Sequence, residues 1–93
     1  MMHNPPHPGE TLKELYISPS NISITVAAKA LNMTRTSLSE IVNGKRGISP
    51  KTSIKLAKAF GGSAESWLQM QAKYDLWHEQ QLYKADDVLA ISV

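Results

Sequence analysis

Ser23 to Arg46, SITVAAKALNMTRTSLSEIVNGKR, sets the architecture of the chain, because it reads as two short helices joined by a turn too tight for an ordinary helix hairpin. Ser23 is placed to cap the first helix, on which Ile24, Ala27, Ala28 and Leu31 recur at helical spacing. Asn32 stops that helix where many such motifs carry Gly, and Asn is the non-glycine residue that most readily takes a positive φ. Ala28 falls where the two helices cross, a place with room for little beyond a methyl group. Thr34 opens the second helix by capping the amide of Thr36 or Ser37, and Leu38, Ile41 and Val42 give it an apolar side. Asn43-Gly44 closes it in a left-handed conformation, and Lys45 and Arg46 follow at once. A helix that enters a nucleic-acid groove needs this plan of apolar back, short polar front and terminal cations.

The flanks read as further helices. Residues 1–8 hold three prolines and two of the three histidines, so a flexible or extended lead-in is expected there. The His3 and His7 pair is four apart, a spacing that serves a metal only on a helix, which Pro5, Pro6 and Pro8 exclude. Pro8-Gly9-Glu10 reads as a helix entrance, with the helix running to about Tyr16 and Leu12 and Leu15 facing the core. Ser18-Pro19-Ser20-Asn21 is a loop by composition. Beyond the motif, Ser49 caps a fourth helix from Pro50, with Ile48 before it as a staple and Ile54, Leu56, Ala57 and Phe60 on the buried face. Gly61-Gly62 ends that helix, and Ser63 caps a fifth, residues 64–82.

The last helix carries two apolar stripes, one of Trp67, Met70, Tyr74 and Trp77 and a second of Leu68, Ala72 and Leu76. A small five-helix core has too little surface to cover both, so part of this helix is expected to bury against another chain, with Tyr74 and Trp77 at a homodimer interface. The tail, residues 84–93, is weakly alternating and β-prone from Asp86 on, either a disordered end or an edge strand that pairs with its copy. One domain, residues 9–83, is expected, with its helix-turn-helix at 23–46.

Ninety-three residues suffice for one modest core. The absence of Cys removes disulfides, thiolate metal sites and cysteine nucleophiles, and no apolar run approaches the roughly 20 residues of a membrane helix, so a cytoplasmic protein free of the membrane is expected. The net charge of +2 hides an asymmetry: Arg35, Lys45, Arg46, Lys51, Lys55 and Lys58 face Glu40 alone between residues 34 and 58, a net +5, while the remainder is −3. A positive block centred on the second motif helix is the footprint expected for a polyanion partner, and beside the helix-turn-helix pattern that partner is nucleic acid. No nucleophile elbow, phosphate loop or paired carboxylates accompany His78, so neither enzymatic activity nor a metal or cofactor is expected.

The series HPGETLKEL, AAKAL, SLSEIVNGKRGISP, IKLAKAFG and ESWLQMQAKYDL, in this order across about residues 7 to 77, resembles the HigA (VapI-type) addiction-module antitoxins of the Xre, phage-repressor-like helix-turn-helix superfamily. The resemblance implies an all-α, five-helix, lambda repressor-like DNA-binding domain with a longer C-terminal helix. It also implies a dimeric repressor that binds its own operator and neutralises a co-encoded, mRNA-cleaving HigB-type toxin. Carried onto this chain, the family pattern places the recognition helix at Thr34 to Asn43. Arg35, Thr36, Ser39 and Glu40 then face base edges, with Glu40 accepting from cytosine, orienting Arg35 or repelling phosphate. Thr34, Ser37, Asn43, Lys45 and Arg46 fall to the phosphates. A solitary regulator without a toxin, or an interaction scaffold built on the last helix, are the alternative readings.

Overall fold

The computed structural model describes residues 4–92, so His3 of the His3 and His7 pair and the last residue of the tail lie outside the described residues. The chain folds into the all-α, five-helix arrangement expected of it, with no strand among the described residues. Helix α1 spans Pro8–Leu12 and widens into a π turn over Lys13–Ile17; α2 is Ile24–Ala30, α3 Arg35–Val42, α4 Pro50–Phe60 and α5 Ala64–Leu82. Helices of five to eight residues do not hold in water by themselves, so α1 to α3 exist because they share a core. Leu12, Ile17, Ala27, Ala28, Leu31, Leu38, Ile41, Ile48, Leu56 and Trp67 are buried together there. Each large side chain among them contributes roughly 1.5–3 kcal/mol by leaving water.

The caps form as their residue types dictate. Ser23 Oγ accepts from the Val26 amide at 3.1 Å, Thr34 Oγ1 from Ser37 at 3.0 Å, Ser49 Oγ from Thr52 at 3.1 Å and Ser63 Oγ from Ser66 at 3.1 Å. Asn32 takes φ +52° in the motif turn, and Gly44 takes φ +73° at the end of α3.

Two core assignments are corrected. Leu15 is 65% exposed, because the π turn brings Leu12 and Ile17, five positions apart, onto one face and gives Ile17 the core position that α-helical spacing would give Leu15 or Tyr16. The wide turn is closed by the Ser18 amide donating to the Lys13 carbonyl at 2.8 Å. Ile54 is 63% exposed, since the inward face of α4 runs through Ser53, Leu56, Ala57 and Phe60. Ser53 is buried in its place because its hydroxyl donates to the Ser49 carbonyl at 3.0 Å, which removes the penalty of burying a polar side chain. On α5 only Trp67 and Gln71 are buried, while Ala72 and Leu76 face water and Met70, Tyr74 and Trp77 are half-buried.

That last helix has 19 residues, a length of about 28 Å, and only its first half packs on the body. The molecule is accordingly elongated, 52 × 23 × 23 Å. Residues 83–92 hold one turn, closed by the Val88 amide on the Ala85 carbonyl at 3.1 Å, with the Tyr83 hydroxyl donating to Asp87 Oδ1 at 2.6 Å, and stay exposed. Among the described residues no helix is long and apolar enough to cross a membrane.

Candidate nucleic-acid interface

Helix α3 is held from behind by Leu38 and Ile41, both fully buried, so its opposite side must face outward. Arg35 and Thr36 are exposed at its N-terminal end, ahead of Ser39 and Asn43 along the same outward side. Asn43 Nδ2 donates back to the Ser39 carbonyl at 2.9 Å, which fixes its amide on the helix surface. Lys45 is exposed just past the helix end.

The remaining residues expected at the interface come together as one polar chain. The Thr34 hydroxyl donates to Ser37 Oγ at 2.9 Å, and Arg46 Nη1 donates to the same oxygen at 3.3 Å. The other guanidinium nitrogen, Nη2, lies 2.7 Å from Glu40 Oε1. Glu40 therefore pairs with Arg46, the last cation of the motif, and the reading in which it orients Arg35 is corrected. The backbone makes that pairing local: the amides of Lys45 and Arg46 both donate to the Glu40 carbonyl, at 2.8 and 3.2 Å.

Beside this chain lies an open hollow of about 510 Å³, lined by Thr34, Ser37, Arg46, Lys51, Thr52 and Lys55. Lys55 crosses to the motif turn, where its Nζ donates to the Asn32 carbonyl at 2.8 Å. Lys51, Thr52 and Lys55 were not assigned to the interface from the sequence, although the positive block between residues 34 and 58 contains them. Their place depends on how α4 docks, which no local spacing encodes.

Two residues behind the interface hold it in place. Gln71 of α5, only 9% exposed, accepts from the Ile48 amide through Oε1 at 2.8 Å and donates to Asp75 Oδ1 through Nε2 at 2.9 Å. It ties the loop that follows Arg46 to the long helix. His7, 8% exposed, caps α1 by accepting from the Gly9 amide through Nδ1 at 2.9 Å, and packs edge-on against Tyr74 with ring centroids 4.8 Å apart. Tyr74 also meets His78, at 4.2 Å, so one of the two aromatic residues expected at a dimer interface is already partly covered within its own chain. Trp77 is half-buried, and its ring lies 5.1 Å from that of His78.

The cap requires an unprotonated Nδ1. Burial lowers the pKa of His7 below the usual 6.5, against the opposing pull of Asp75 and Glu10. A histidine with a depressed native pKa makes the unfolded chain the stronger proton binder, so stability is complete above about pH 6.5 and declines as the pH falls below it. Thermal melts from pH 8 to 5 should show that decline, and His7→Asn, which retains a capping acceptor, should remove it; an unchanged pH profile would place the titrating group elsewhere. His7→Ala should cost about 1 kcal/mol at neutral pH, the usual worth of a lost N-cap.

A family model described as helix-turn-helix matches residues 12–67. Virulence-associated protein A' of Dichelobacter nodosus is 59% identical over 76 residues, 81% of this chain but 65% of that protein's length. Antitoxin HigA-1 of Vibrio cholerae is 35% identical over 78 residues, covering 84% of this chain and 73% of that one. Among solved structures, the Pseudomonas aeruginosa antitoxin HigA with higBA promoter superposes with a TM-score of 0.88 at 28% identity, over 96% of this chain and 99% of the other.

Proposed function

The chain belongs to the helix-turn-helix family, among the HigA-type DNA-binding antitoxins, and from that premise we propose that it is a dimeric repressor of its own operator and the antitoxin of a co-encoded, mRNA-cleaving toxin. The observation that carries this reading is α3 itself, buried on Leu38 and Ile41 and presenting Arg35, Thr36 and Ser39 outward beside a run of cations. The HigA structure with which it superposes is one determined with promoter DNA.

Two copies of α3 enter adjacent major-groove half-sites about 34 Å apart, and polymerase is excluded sterically. The distal half of α5 joins the copies, with Tyr74 and Trp77 at the interface beside Leu76, which is 58% exposed in the single chain. A stable dimer needs about 1,200–2,000 Å² of buried surface, and sedimentation equilibrium measures whether it forms.

Arg35 reads guanine through its fork, while Thr34, Ser37, Asn43, Lys45 and Arg46 hold the backbone. Arg35→Ala should weaken binding to the operator by about 1–3 kcal/mol and relax preference at a single base pair. Lys45→Ala should weaken all sequences alike and flatten the log–log salt dependence by about one. Fluorescence anisotropy on operator and scrambled duplexes separates the two effects, and parental binding by both variants would refute the assignment of α3. Co-expression with the neighbouring reading frame, followed by isolation of a stoichiometric complex, tests the toxin arm.

A further inference from the structure

We propose that Glu40 is a positioning residue that holds Arg46 over the edge of the recognition helix as a second base-reading fork; the inference rests on the DNA-binding reading and moves Arg46 from the phosphates to the bases.

Glu40 is the one acid among six cations between residues 34 and 58. If the segment held DNA only by attraction to phosphate, an acid at its centre would weaken it. The structure shows what the acid does: it binds Arg46. The Lys45 and Arg46 amides on the Glu40 carbonyl set the Arg46 backbone against the end of α3, and the guanidinium then meets two side chains, Glu40 Oε1 at 2.7 Å as an ion-pair contact without hydrogen-bond geometry and Ser37 Oγ as a hydrogen bond at 3.3 Å. Ser37 is itself fixed by the Thr34 cap. An exposed ion pair alone restrains a side chain weakly, but a backbone anchor plus two side-chain ties defines the direction of the fork.

The pair remains open to a ligand, with the Arg46 side chain 52% and that of Glu40 39% exposed. A guanidinium has five N–H donors, and the two ties leave donors for a planar, two-point acceptor such as the guanine edge. Ser37 Oγ accepts from both Thr34 and Arg46, so its own proton is available to an outside oxygen. Charge bookkeeping points the same way: Arg46 paired with Glu40 is a neutral unit and displaces few counterions, whereas Lys45 and Arg35 act as net cations.

The test uses the full-length protein and double-stranded DNA selected from a randomised library by the parent chain. Preferences and salt dependence are then measured for Arg46→Lys, Arg46→Ala and Glu40→Gln, with melting temperatures confirming that each is folded. Arg46→Lys should lose roughly tenfold preference at one base pair while keeping the parental salt slope. Glu40→Gln should lose preference at that same base pair and steepen the slope by about one, because Arg46 becomes an unpaired cation. The inference is overturned if Arg46→Lys keeps the parental motif while Arg46→Ala flattens the slope by about one, the signature of a phosphate anchor. It is also overturned if Glu40→Gln changes a different base pair from Arg46→Lys, which would make Glu40 a reader itself. A parent chain that selects no sequence refutes the DNA-binding reading and this inference with it.

Discussion

Gly9→Ala should destabilise the protein by about 3 kcal/mol, at the upper end of what overpacking a core costs. A Cβ at this position would stand 1.7 Å from the Ile41 carbonyl oxygen, 2.5 Å from its carbon and 3.0 Å from Val42 Cα. All three are backbone atoms of α3, so no side-chain rotamer relieves the overlap. The helix cannot back away either, because Leu38 and Ile41 fix it from the other side with no exposure to spare. Either α1 lifts off, uncovering Leu12 and breaking the His7 cap, or the last turn of α3 is displaced, and Lys45 and Arg46 with it. Such a loss is a large part of the roughly 5–15 kcal/mol that holds a typical domain folded. Urea denaturation measures it, and a variant within about 0.5 kcal/mol of the parent, the range of an ordinary surface change, would show that the close approach is not structural.

The second large effect is expected at Gln71. Replacement by Leu keeps the bulk inside but leaves the Ile48 amide without its acceptor, in a place where Ile48 is itself buried and water has little access. An orphaned buried donor costs about 1–3 kcal/mol, well above the net worth of an average hydrogen bond. The loss should be focused as well as global. Amide exchange at Ile48 should accelerate more than that of the α4 interior, and operator affinity should fall even where the protein is fully folded, because the Lys45–Gly47 loop is no longer pinned to α5. Unchanged exchange at Ile48 would refute the role assigned to this glutamine.

These two residues also mark the boundary of what the chain discloses before folding. Ser23, Thr34, Ser49 and Ser63 were legible as caps because a cap is decided within four residues. Asn32 and Gly44 were legible because few residue types accept their backbone angles. Helix α3 followed from its caps and its apolar back. Leu15 and Ile54 were misplaced because a hydrophobic side chain beside the true core stripe looks the same in sequence as one within it. A π turn in one case and a satisfied serine in the other decided which faced inward. The roles of Gly9 and Gln71 gave no local signal, since their partners lie on other elements whose docking defines the contacts; His7 caps α1 locally, and only its packing on Tyr74 depends on that docking. The pairing of Glu40 with Arg46 was hidden for a related reason: six residues apart is not a helical spacing, and only the left-handed turn at Gly44 folds the chain back to join them.

The wide turn at Lys13–Ile17 has a bearing on how this chain compares with others in length. A π turn holds one more residue than an α turn for nearly the same advance along the axis. Removing one residue between Leu12 and Ile17 would leave those two side chains four apart in an ordinary α-helix, still on one face and still able to enter the same core. The first helix thus contains a built-in slack of one residue, and a single-residue gap in an alignment of this region would record a change of helical pitch with the fold intact.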